Sequence, residues 1–181
     1  LGLRSLSGAL ALHWYRLGRV FPIETPRQLL TQLSSICDEL YPRAPNIANE
    51  LVNRRTLSSA AAAARMRLIE RIFTDGDREL LGMEADKKPP ERSMYLSILQ
   101  RGQIHRLESG SWCLAEPTKE DPCKLLPLFR FIRTQLETKG DTRTRISDLF
   151  ALMAQPPFGI RAGLAPLLLA IYVAIHPDEF A

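Results

Sequence analysis

DPCKLLPLFRFIRTQLETKGDTRTRISDLFALMAQPPFGIRAGLAPLLLAIYVAIH, from Asp121 to His176, contains three successive apolar patterns with helical spacing. Gly140 separates the first pattern from the second, and Pro156-Pro157-Phe158-Gly159 separates the second from the third. Glycine and proline are the residues that most often end helices. The stretch therefore predicts a compact three-helix unit.

Capping signals predict where the first two of these helices begin and end. Asp121 is a suitable N-cap and Pro122 a suitable first residue, but Pro127 inside the pattern moves the expected start to near Leu126. The second helix is expected to begin after residue 141 or 142 and to end before the double proline. Its expected buried residues are Ile146, Leu149, Phe150 and Met153.

The third helix, from about Arg161 to Ile175, is apolar on nearly every side, which predicts a buried helix. The order of the three helices matches the outline of a helix-turn-helix or winged-helix domain, whose last helix offers polar side chains to DNA bases. Beyond Arg161 this helix has no Arg, Lys, Asn or Gln, which argues against sequence-specific DNA recognition. Residues 118–181 are thus expected to form a three-helix winged-helix-like module, truncated before its wing.

Residues 1–117 are expected to form a helical module that ends in a β-hairpin. Thr25-Pro26 predicts the start of a first helix, apolar spacing after Pro45 predicts a short second one, and a cap between Thr56 and Ser59 predicts a third. The third contains the run Ala60 to Ala64, whose small side chains let another backbone approach closely. The expected buried stripe of the first helix comprises Leu29, Leu30, Leu33, Ile36, Cys37 and Leu40.

The rest of this module is predicted from turn chemistry. Residues 74–92 are polar and rich in Gly, Asp and Pro, which predicts an exposed loop or linker. A helix from Glu91 to Arg101 follows. Residues 104–107 and 111–114, on either side of the turn Glu108-Ser109-Gly110, predict a β-hairpin. A helical segment closed by such a ribbon is again wing-like.

Arginines follow the alanine run and recur later in the chain. On a helix, Arg65, Arg67 and Arg71 would extend the basic character of Arg54 and Arg55. Arginine contacts with phosphates add affinity without sequence choice, and a solvated basic surface is the alternative. The candidate nucleic-acid-binding or partner-binding residues are Arg54, Arg55, Arg65, Arg67, Arg71, Arg143, Arg145 and Arg161.

Composition bounds these interpretations. The chain has 181 residues, of which 45% are apolar and 24% charged, as in an ordinary globular protein. A net charge of +4 and a pI near 9.2 permit an acidic partner or nucleic acid. Because 24 basic residues are set against 20 acidic ones, a mixed solvated surface is the favoured interpretation.

Cysteine and histidine usage predicts a reduced cytoplasmic protein without a metal site. Cys37, Cys113 and Cys123 are widely spaced and form no C-x-x-C pair, and the three histidines are equally scattered. Charged residues interrupt the apolar run in residues 1–20, so it does not resemble a signal peptide. The third helix of the C-terminal stretch is shorter than a membrane span requires, so no membrane partner is expected. A first residue other than methionine suggests a fragment of a longer chain.

No catalytic motif is present in the sequence. It has no G-x-x-x-x-G-K-[ST] loop, G-x-S-x-G elbow, H-E-x-x-H pair or glycine-rich dinucleotide loop. The segment from Gly159 to Gly163 could offer backbone N–H groups to an anion, although a tight turn is favoured. We therefore predict no enzyme activity, no catalytic residue and no cofactor for this chain.

Four segments together resemble a known family: NELVNRRTLSSAAAAAR (Asn49 to Arg65), PPERSMYLSIL (Pro89 to Leu99), SGSWCL (Ser109 to Leu114) and QPPFGIRAGLAPLLLA (Gln155 to Ala170). They resemble the region outside the nucleotide-binding core of very large bacterial P-loop ATPases of phage-defence islands, similar to BREX-type ATPases. The resemblance covers roughly residues 45–176. It implies an accessory module whose parent protein hydrolyses ATP, and it assigns no functional residue to this chain.

The sequence thus predicts a mainly α fold, built as two winged-helix-like helical modules with a minor β-hairpin. The expected function is that of a protein-interaction or scaffolding module of a larger prokaryotic ATPase, in the setting of antiviral defence. Its expected partners are other domains or subunits of the assembly. The alternative is a nonspecific nucleic-acid-binding module that uses the arginine-rich helix faces for phosphate contacts.

Overall fold

The computed structural model of the protein describes residues 14–21, 23–139 and 145–179. These residues are mainly helical, with two small antiparallel strand pairs, which confirms the predicted mainly α class. The chain divides into an N-terminal unit that ends at Pro42 and a C-terminal unit that begins at Arg43. The predicted division between residues 117 and 118 falls inside the C-terminal unit and stays a prediction.

The described part of the N-terminal unit begins with a hairpin that the sequence patterns did not predict. Strands β1 (Trp14–Arg16) and β2 (Arg19–Phe21) pair antiparallel, with Arg16 opposite Arg19. Leu17 and Gly18 form the turn, and both have positive φ angles, of 49° and 75°. Two consecutive left-handed residues match the right-handed twist of a two-residue hairpin. Gly18 supplies this conformation without strain, whereas Leu17 does so at some cost.

Helix α1 (Pro26–Leu40) begins where the Thr25-Pro26 signal predicted. The Thr25 hydroxyl accepts a hydrogen bond from the Gln28 amide over 3.2 Å, and the Gln28 side chain accepts one from the Thr25 amide over 3.0 Å. These reciprocal bonds form a capping box, which satisfies N–H groups that the first turn leaves free. Local chemistry alone therefore sets this helix start.

The predicted buried stripe of α1 is wrong. No described residue between positions 14 and 42 is buried, and Leu30, Leu33 and Leu40 are 64%, 48% and 50% exposed. Within the described part of this unit, a hairpin of two three-residue strands is too small to form a second apolar layer. The helix is amphipathic, and among the described residues Leu33 and Leu40 of its apolar face are exposed.

The C-terminal unit consists, within its described residues, of helices around one hairpin. Short 3-10 turns occupy Glu79–Gly82 and Pro177–Glu179. A π-helical turn at Leu96–Gln100 continues the helix that begins at Pro90. The regular elements are α2 (Ser59–Thr74), α3 (Pro90–Tyr95), β3 (His105–Glu108), β4 (Ser111–Leu114), α4 (Leu126–Lys139), α5 (Ile146–Met153) and α6 (Ala165–Ile175). Buried side chains from Ile47 to Tyr172 form one core cluster.

Helix α2 lies at the centre of this unit. Ser58 caps it by accepting a hydrogen bond from the Ala61 amide, as the capping signal predicted. Ala61 and Ala64 are buried, and the helix packs against both α3 and α6. The small side chains permit this close approach, as the alanine run predicted.

Helix α6 is enclosed by its neighbours, as its apolar sequence predicted. None of its residues is exposed, and Leu167, Leu168, Ile171 and Tyr172 are fully buried. The helix begins at Ala165, four residues later than expected, because residues 159–161 are irregular and residues 162–164 form a turn. Helix α4 begins at Leu126, as the position of Pro127 predicted.

Three local expectations fail in the structure. The short helix after Pro45 is absent, and residues 44–58 form turns and irregular chain instead. Part of the predicted exposed loop is buried, since Leu81 is fully enclosed and Met83 is 6% exposed. Ile146 is 60% exposed rather than buried, whereas Leu149 and Met153 of the same helix are buried. The expected beginning of that helix, at residue 141 or 142, lies outside the described residues.

The hairpin of this unit forms where the sequence predicted it. Strands β3 and β4 pair with His105 opposite Leu114 and Glu108 opposite Ser111. Ser109 and Gly110 make a two-residue turn with φ angles of 51° and 85°. The predicted helix from Glu91 to Arg101 corresponds to α3 and its π-helical continuation.

Candidate interaction surfaces

Arg65 contacts the protein interior. Its Nη1 donates a hydrogen bond to the carbonyl oxygen of Gly163 over 2.9 Å, and its Nε is buried without a hydrogen-bond partner among the described residues. Burial lowers the pKa of Arg65, since desolvation disfavours the charged form. The side chain links α2 to the turn that precedes α6.

Arg67 and Arg71 also make internal contacts. Arg67 holds the carboxylate of Glu91 through two hydrogen bonds of 3.1 and 3.0 Å, which is bidentate geometry. Burial opposes ionisation of Glu91, but the Arg67 hydrogen bonds, a backbone hydrogen bond and the charges of Arg67 and Arg71 outweigh it and lower the Glu91 pKa. Arg71 donates to the Leu81 carbonyl over 3.0 Å. Both arginines therefore attach neighbouring segments to α2.

Arg54 and Arg161 meet near Gly163. Arg161 donates to the carbonyl oxygen of Asn53 over 2.9 Å, and the Gly163 amide donates to the carbonyl oxygen of Arg54 over 3.0 Å. Arg54 also donates from Nε to the carbonyl oxygen of Glu50. Together with the Arg65 contact, these bonds bring three of the predicted arginines around one glycine. Unlike Arg65, Arg54 and Arg161 are exposed.

Three predicted arginines lie elsewhere. Arg55 is exposed in the turn before α2, and Arg145 is exposed at the N-terminus of α5. Neither side chain has a hydrogen bond or ion pair with another described residue. Arg143 lies outside the described residues. The contacts of the predicted arginines thus fall into two groups, one around Gly163 and one between α2 and its neighbours, while the side chains of Arg55 and Arg145 make no hydrogen bond or ion pair with a described residue.

A groove beside Arg161 opens between the irregular segment 44–53 and the turn 158–164. Its volume is about 310 Å³. The amides of Ile160 and Gly163 donate to the carbonyls of Met153 and Arg54, so neither amide is free to bind an anion. Residues 159–161 are irregular, and a turn occupies residues 162–164. The groove is lined by Ala44, Pro45, Ile47, Glu50, Asn53, Phe158, Gly159, Ile160, Arg161 and Leu164.

A second groove lies along α4, and none of the predicted binding arginines lines it. Its volume is about 470 Å³, and its lining includes the two arginines Arg43 and Arg130. We call it the α4 groove. It is lined by Arg43, Leu126, Pro127, Arg130, Phe131 and Thr134. No sequence motif marks it, because the two arginines are far apart in the chain.

Among the described residues of the N-terminal unit, the apolar face of α1 is the clearest surface with exposed apolar side chains. Leu29, Leu33, Ile36 and Leu40 follow one another at spacings of four, three and four residues. This is the spacing of a heptad seam, in which apolar residues face a second helix. We call these four residues the α1 seam. Arg16 of the hairpin pairs with Glu39, so the hairpin and α1 are joined on a polar side.

His105 and its neighbours form a buried polar contact. The Tyr95 hydroxyl lies 2.9 Å from Nδ1 of His105, and Nε2 lies 3.1 Å from the Gly76 carbonyl oxygen. Because a carbonyl only accepts, Nε2 carries the proton and Nδ1 accepts from Tyr95. Burial lowers the pKa of His105 and raises that of Tyr95 to about 12. Both side chains therefore have hydrogen-bond partners and are uncharged, which is typical of a histidine with a structural role.

A charged cluster joins the end of the hairpin segment to α4 and the C-terminal turn. Glu116 contacts Arg133 over 2.6 Å and His176 over 2.9 Å through the same oxygen. Arg133 also lies 3.3 Å from Glu179, whose carboxylate accepts a hydrogen bond from Tyr172. Burial raises the pKa of Tyr172 well above its ordinary value. The arrangement cross-links three segments and contains no serine or cysteine nucleophile.

Neither a metal site nor a membrane span is found in the described part of the chain. No group of three or more His, Cys, Asp or Glu side chains there could hold a metal ion. The helices of residues 14–21, 23–139 and 145–179 are too short or too polar to cross a bilayer.

Comparisons with known proteins return no relative. The chain matches no protein-family model, no curated protein and no solved structure.

Proposed function

We propose that this chain is a protein-interaction and scaffolding module of a larger prokaryotic ATPase in antiviral defence. The observation that supports an interaction role is the α1 seam, an apolar helix face in which Leu33 and Leu40 are exposed, while Leu29 and Ile36 are only partly buried. Exposed apolar surface is costly in water, and larger patches of it mark sites of association. The α1 helix is therefore one element through which the module docks.

The partner that fits the α1 seam is an amphipathic helix of another domain or subunit. Leucine and isoleucine at heptad spacing insert between the side chains of a facing helix. The 15-residue length of α1 is short for an independent helix in water, so a partner helix would stabilise it. Docking would bury Leu33 and Leu40, which are now about half exposed.

The assignment to an ATPase of phage defence derives from the sequence resemblance. The resemblance covers roughly residues 45–176, most of the C-terminal unit. Two winged-helix-like modules are likewise a proposal. The order α2, α3 and the hairpin β3–β4 supports the first module, and the order α4, α5, α6 supports the second. A cytoplasmic location follows from the same proposal.

The test uses the gene locus and a binding measurement. A P-loop ATPase reading frame continuous with this chain, or beside it, is expected. Calorimetry should then detect binding between this chain and the remaining ATPase. Leu33→Glu should weaken that binding at least about tenfold because it places a charge in an apolar seam. Thr31→Glu, on the opposite side of α1, should leave it nearly unchanged. Absence of a P-loop ATPase at the locus would exclude the ATPase assignment, and equal effects of the two variants would exclude the seam.

Nonspecific nucleic-acid binding is the second candidate function. The observation that favours it is the exposure of Arg55 and Arg145, whose guanidinium groups have no partner among the described residues. Internal contacts of Arg65, Arg67 and Arg71 weigh against a continuous phosphate-binding face. Electrophoretic mobility shift at two salt concentrations tests it, since binding through phosphates must weaken steeply as salt rises. Absence of a shift at low salt would eliminate this candidate.

A further inference from the structure

The α4 groove combines two arginines with an apolar floor. Arg130 and Thr134 lie one turn apart on α4, and Leu126 and Pro127 belong to the first turn of the same helix. Arg43 comes from a separate segment, at the start of the C-terminal unit. Its amide donates a hydrogen bond to the carbonyl oxygen of Pro157 over 3.1 Å, which holds the backbone of that segment. The groove is therefore built from segments that the fold holds in place.

Both arginines of the groove are without an internal partner. The side chains of Arg43 and Arg130 are exposed and make no hydrogen bond or ion pair with another described residue. No Asp or Glu lines the groove. This separates them from Arg67 and Arg133, which hold carboxylates of the protein itself. The positive charge of the groove is therefore open to a negative group from outside.

The floor of the groove favours an apolar side chain rather than a nucleic-acid base. Phe131 is half-buried, and its ring lies tilted on Phe158 with ring centroids 4.9 Å apart. Because of that packing, less of the Phe131 ring is available for a base to stack on. Leu126 and Pro127 supply further apolar surface. The Thr134 hydroxyl is already bonded to the carbonyl oxygen of Arg130 over 3.0 Å.

We propose that the α4 groove binds an acidic peptide segment in which an apolar side chain lies between carboxylates. The apolar side chain would rest on Leu126, Pro127 and Phe131, while Arg43 and Arg130 would pair with the flanking carboxylates. Guanidinium groups suit this role because their planar donors match a carboxylate. A volume of about 470 Å³ is in the range of small-ligand sites and accommodates a few residues of an extended chain.

Nucleic acid fits this groove less well than a peptide. Proteins that bind along a phosphate backbone use several cations in a row together with exposed aromatic rings. The α4 groove has two cations, and its one aromatic side chain is packed on Phe158. The protein as a whole has a net charge of only +4. Charge complementarity with an acidic, partly apolar peptide is the closer match.

This inference deepens the proposed interaction function, because it names the chemistry of a second partner surface. The α4 groove and the α1 seam share no residue. Failure of one surface is therefore distinguishable from failure of the other, since Leu33→Glu alters α1 and leaves the groove intact.

The experiment is fluorescence polarisation of the full chain with three labelled peptides. The first carries a leucine flanked by aspartates, the second replaces the leucine with serine, and the third replaces the aspartates with asparagines. We expect the first peptide to bind and both replacements to weaken binding at least about fivefold, since charge and apolar contact both contribute. Unlabelled single-stranded DNA is added as a competitor at moderate salt.

Matched variants locate the binding site. Arg43→Glu and Arg130→Glu should each weaken binding of the first peptide about tenfold or more, because they reverse a charge that faces the carboxylates. Lys119→Glu makes the same charge change at an exposed residue outside the groove and should alter binding less than about twofold. Arg43→Gln and Arg130→Gln serve as milder variants should a reversal disturb folding, which circular dichroism monitors.

Several results would overturn the proposal. One is that the first peptide does not bind even at millimolar protein. The others are that Lys119→Glu weakens binding as much as the groove variants do, and that the serine peptide binds as tightly as the leucine peptide. Displacement of the peptide by DNA, with DNA binding lost in the same arginine variants, would identify the groove as a nucleic-acid site instead.

Discussion

Nη1 of Arg65 lies 2.9 Å from the carbonyl oxygen of Gly163, so a side chain of α2 holds the turn that leads into α6. The two residues are 98 positions apart in the chain. The same glycine donates its amide to the carbonyl oxygen of Arg54. Three distant segments therefore meet at one backbone position, and Arg65 contributes to the fold in addition to any binding role.

Replacing Arg65 with methionine should destabilise the protein. Methionine keeps much of the aliphatic stem but leaves the Gly163 carbonyl without its donor, and an unpaired buried acceptor costs about 1–3 kcal/mol. Urea unfolding should therefore show a lower midpoint for Arg65→Met. Arg55→Met, at an exposed residue without a described partner, should change the free energy of unfolding by less than about 0.5 kcal/mol. Equal stability of the two variants would contradict a structural role for Arg65.

Gly163→Ala should destabilise the protein through a steric clash. A Cβ atom at Gly163 would lie 2.6 Å from the carbonyl oxygen of Val52, 2.7 Å from that of Arg54 and 2.6 Å from a methyl group of Leu57. Backbone atoms cannot move aside as a flexible side chain can, so overpacking here should cost about 1–3 kcal/mol or more. Thermal unfolding of Gly163→Ala and of the neighbouring exposed variant Ala162→Ser measures the difference. A similar melting temperature for both would show that the turn can relax.

Local signals predicted the helices and the C-terminal hairpin well. Thr25, Ser58 and Gly110 each act within a few residues of their own position, by capping a helix or by adopting a left-handed turn. The burial of α6 was also predictable, because a helix that is apolar on every side has no polar face to expose to solvent. These inferences need no knowledge of distant contacts.

Distant contacts explain the error in the segment after Pro45. The apolar spacing of Ile47, Leu51 and Val52 is typical of a helix, but the Asn49 side chain donates to the carbonyl oxygen of Ser93 and the hydroxyl of Ser97. It also accepts from the Leu51 amide, a local bond that competes with helix formation. Partners 44 and 48 residues away leave no mark on a local pattern.

The candidate site residues show the same limit. A helical pattern predicts which face carries Arg67. It does not show that the Arg67 guanidinium group is paired with Glu91, 24 residues later in the chain. Arg43 and Arg130 were missed for the converse reason. Each is an ordinary arginine in its own segment, and only the fold brings both to the α4 groove.

His105 should make the stability of the protein depend on pH. Burial lowers its pKa in the folded state below the unfolded value of about 6.5, so the folded protein favours the neutral ring. The stabilising contribution is thus fully present above about pH 6.5 and is lost as pH falls from there towards the folded pKa. Urea midpoints at pH 7.5, 6.5 and 5.5 should fall in that order for the wild type.

His105→Gln is the matched variant for this prediction. Glutamine cannot titrate, so the loss of stability between about pH 6.5 and 5.5 should be smaller than in the wild type, whatever the variant's stability at pH 7.5. The comparison uses the slope against pH, because the lost Tyr95 and Gly76 hydrogen bonds lower the stability at every pH. An unchanged slope would assign the pH dependence to other groups.

The three cysteines should react with a thiol reagent at clearly different rates. Cys37 is exposed and Cys113 is partly buried, with a pKa that burial raises. Cys123 is fully buried, and burial together with the nearby charge of Asp121 raises its pKa to about 11. At pH 8 roughly one Cys123 in a thousand would be a thiolate, the reactive form. Ellman's reagent should therefore modify Cys37 first and Cys123 only after unfolding in urea. Cys37→Ser should remove the fast phase and leave the rest, whereas rapid modification of Cys123 in the native protein would contradict the buried core around it.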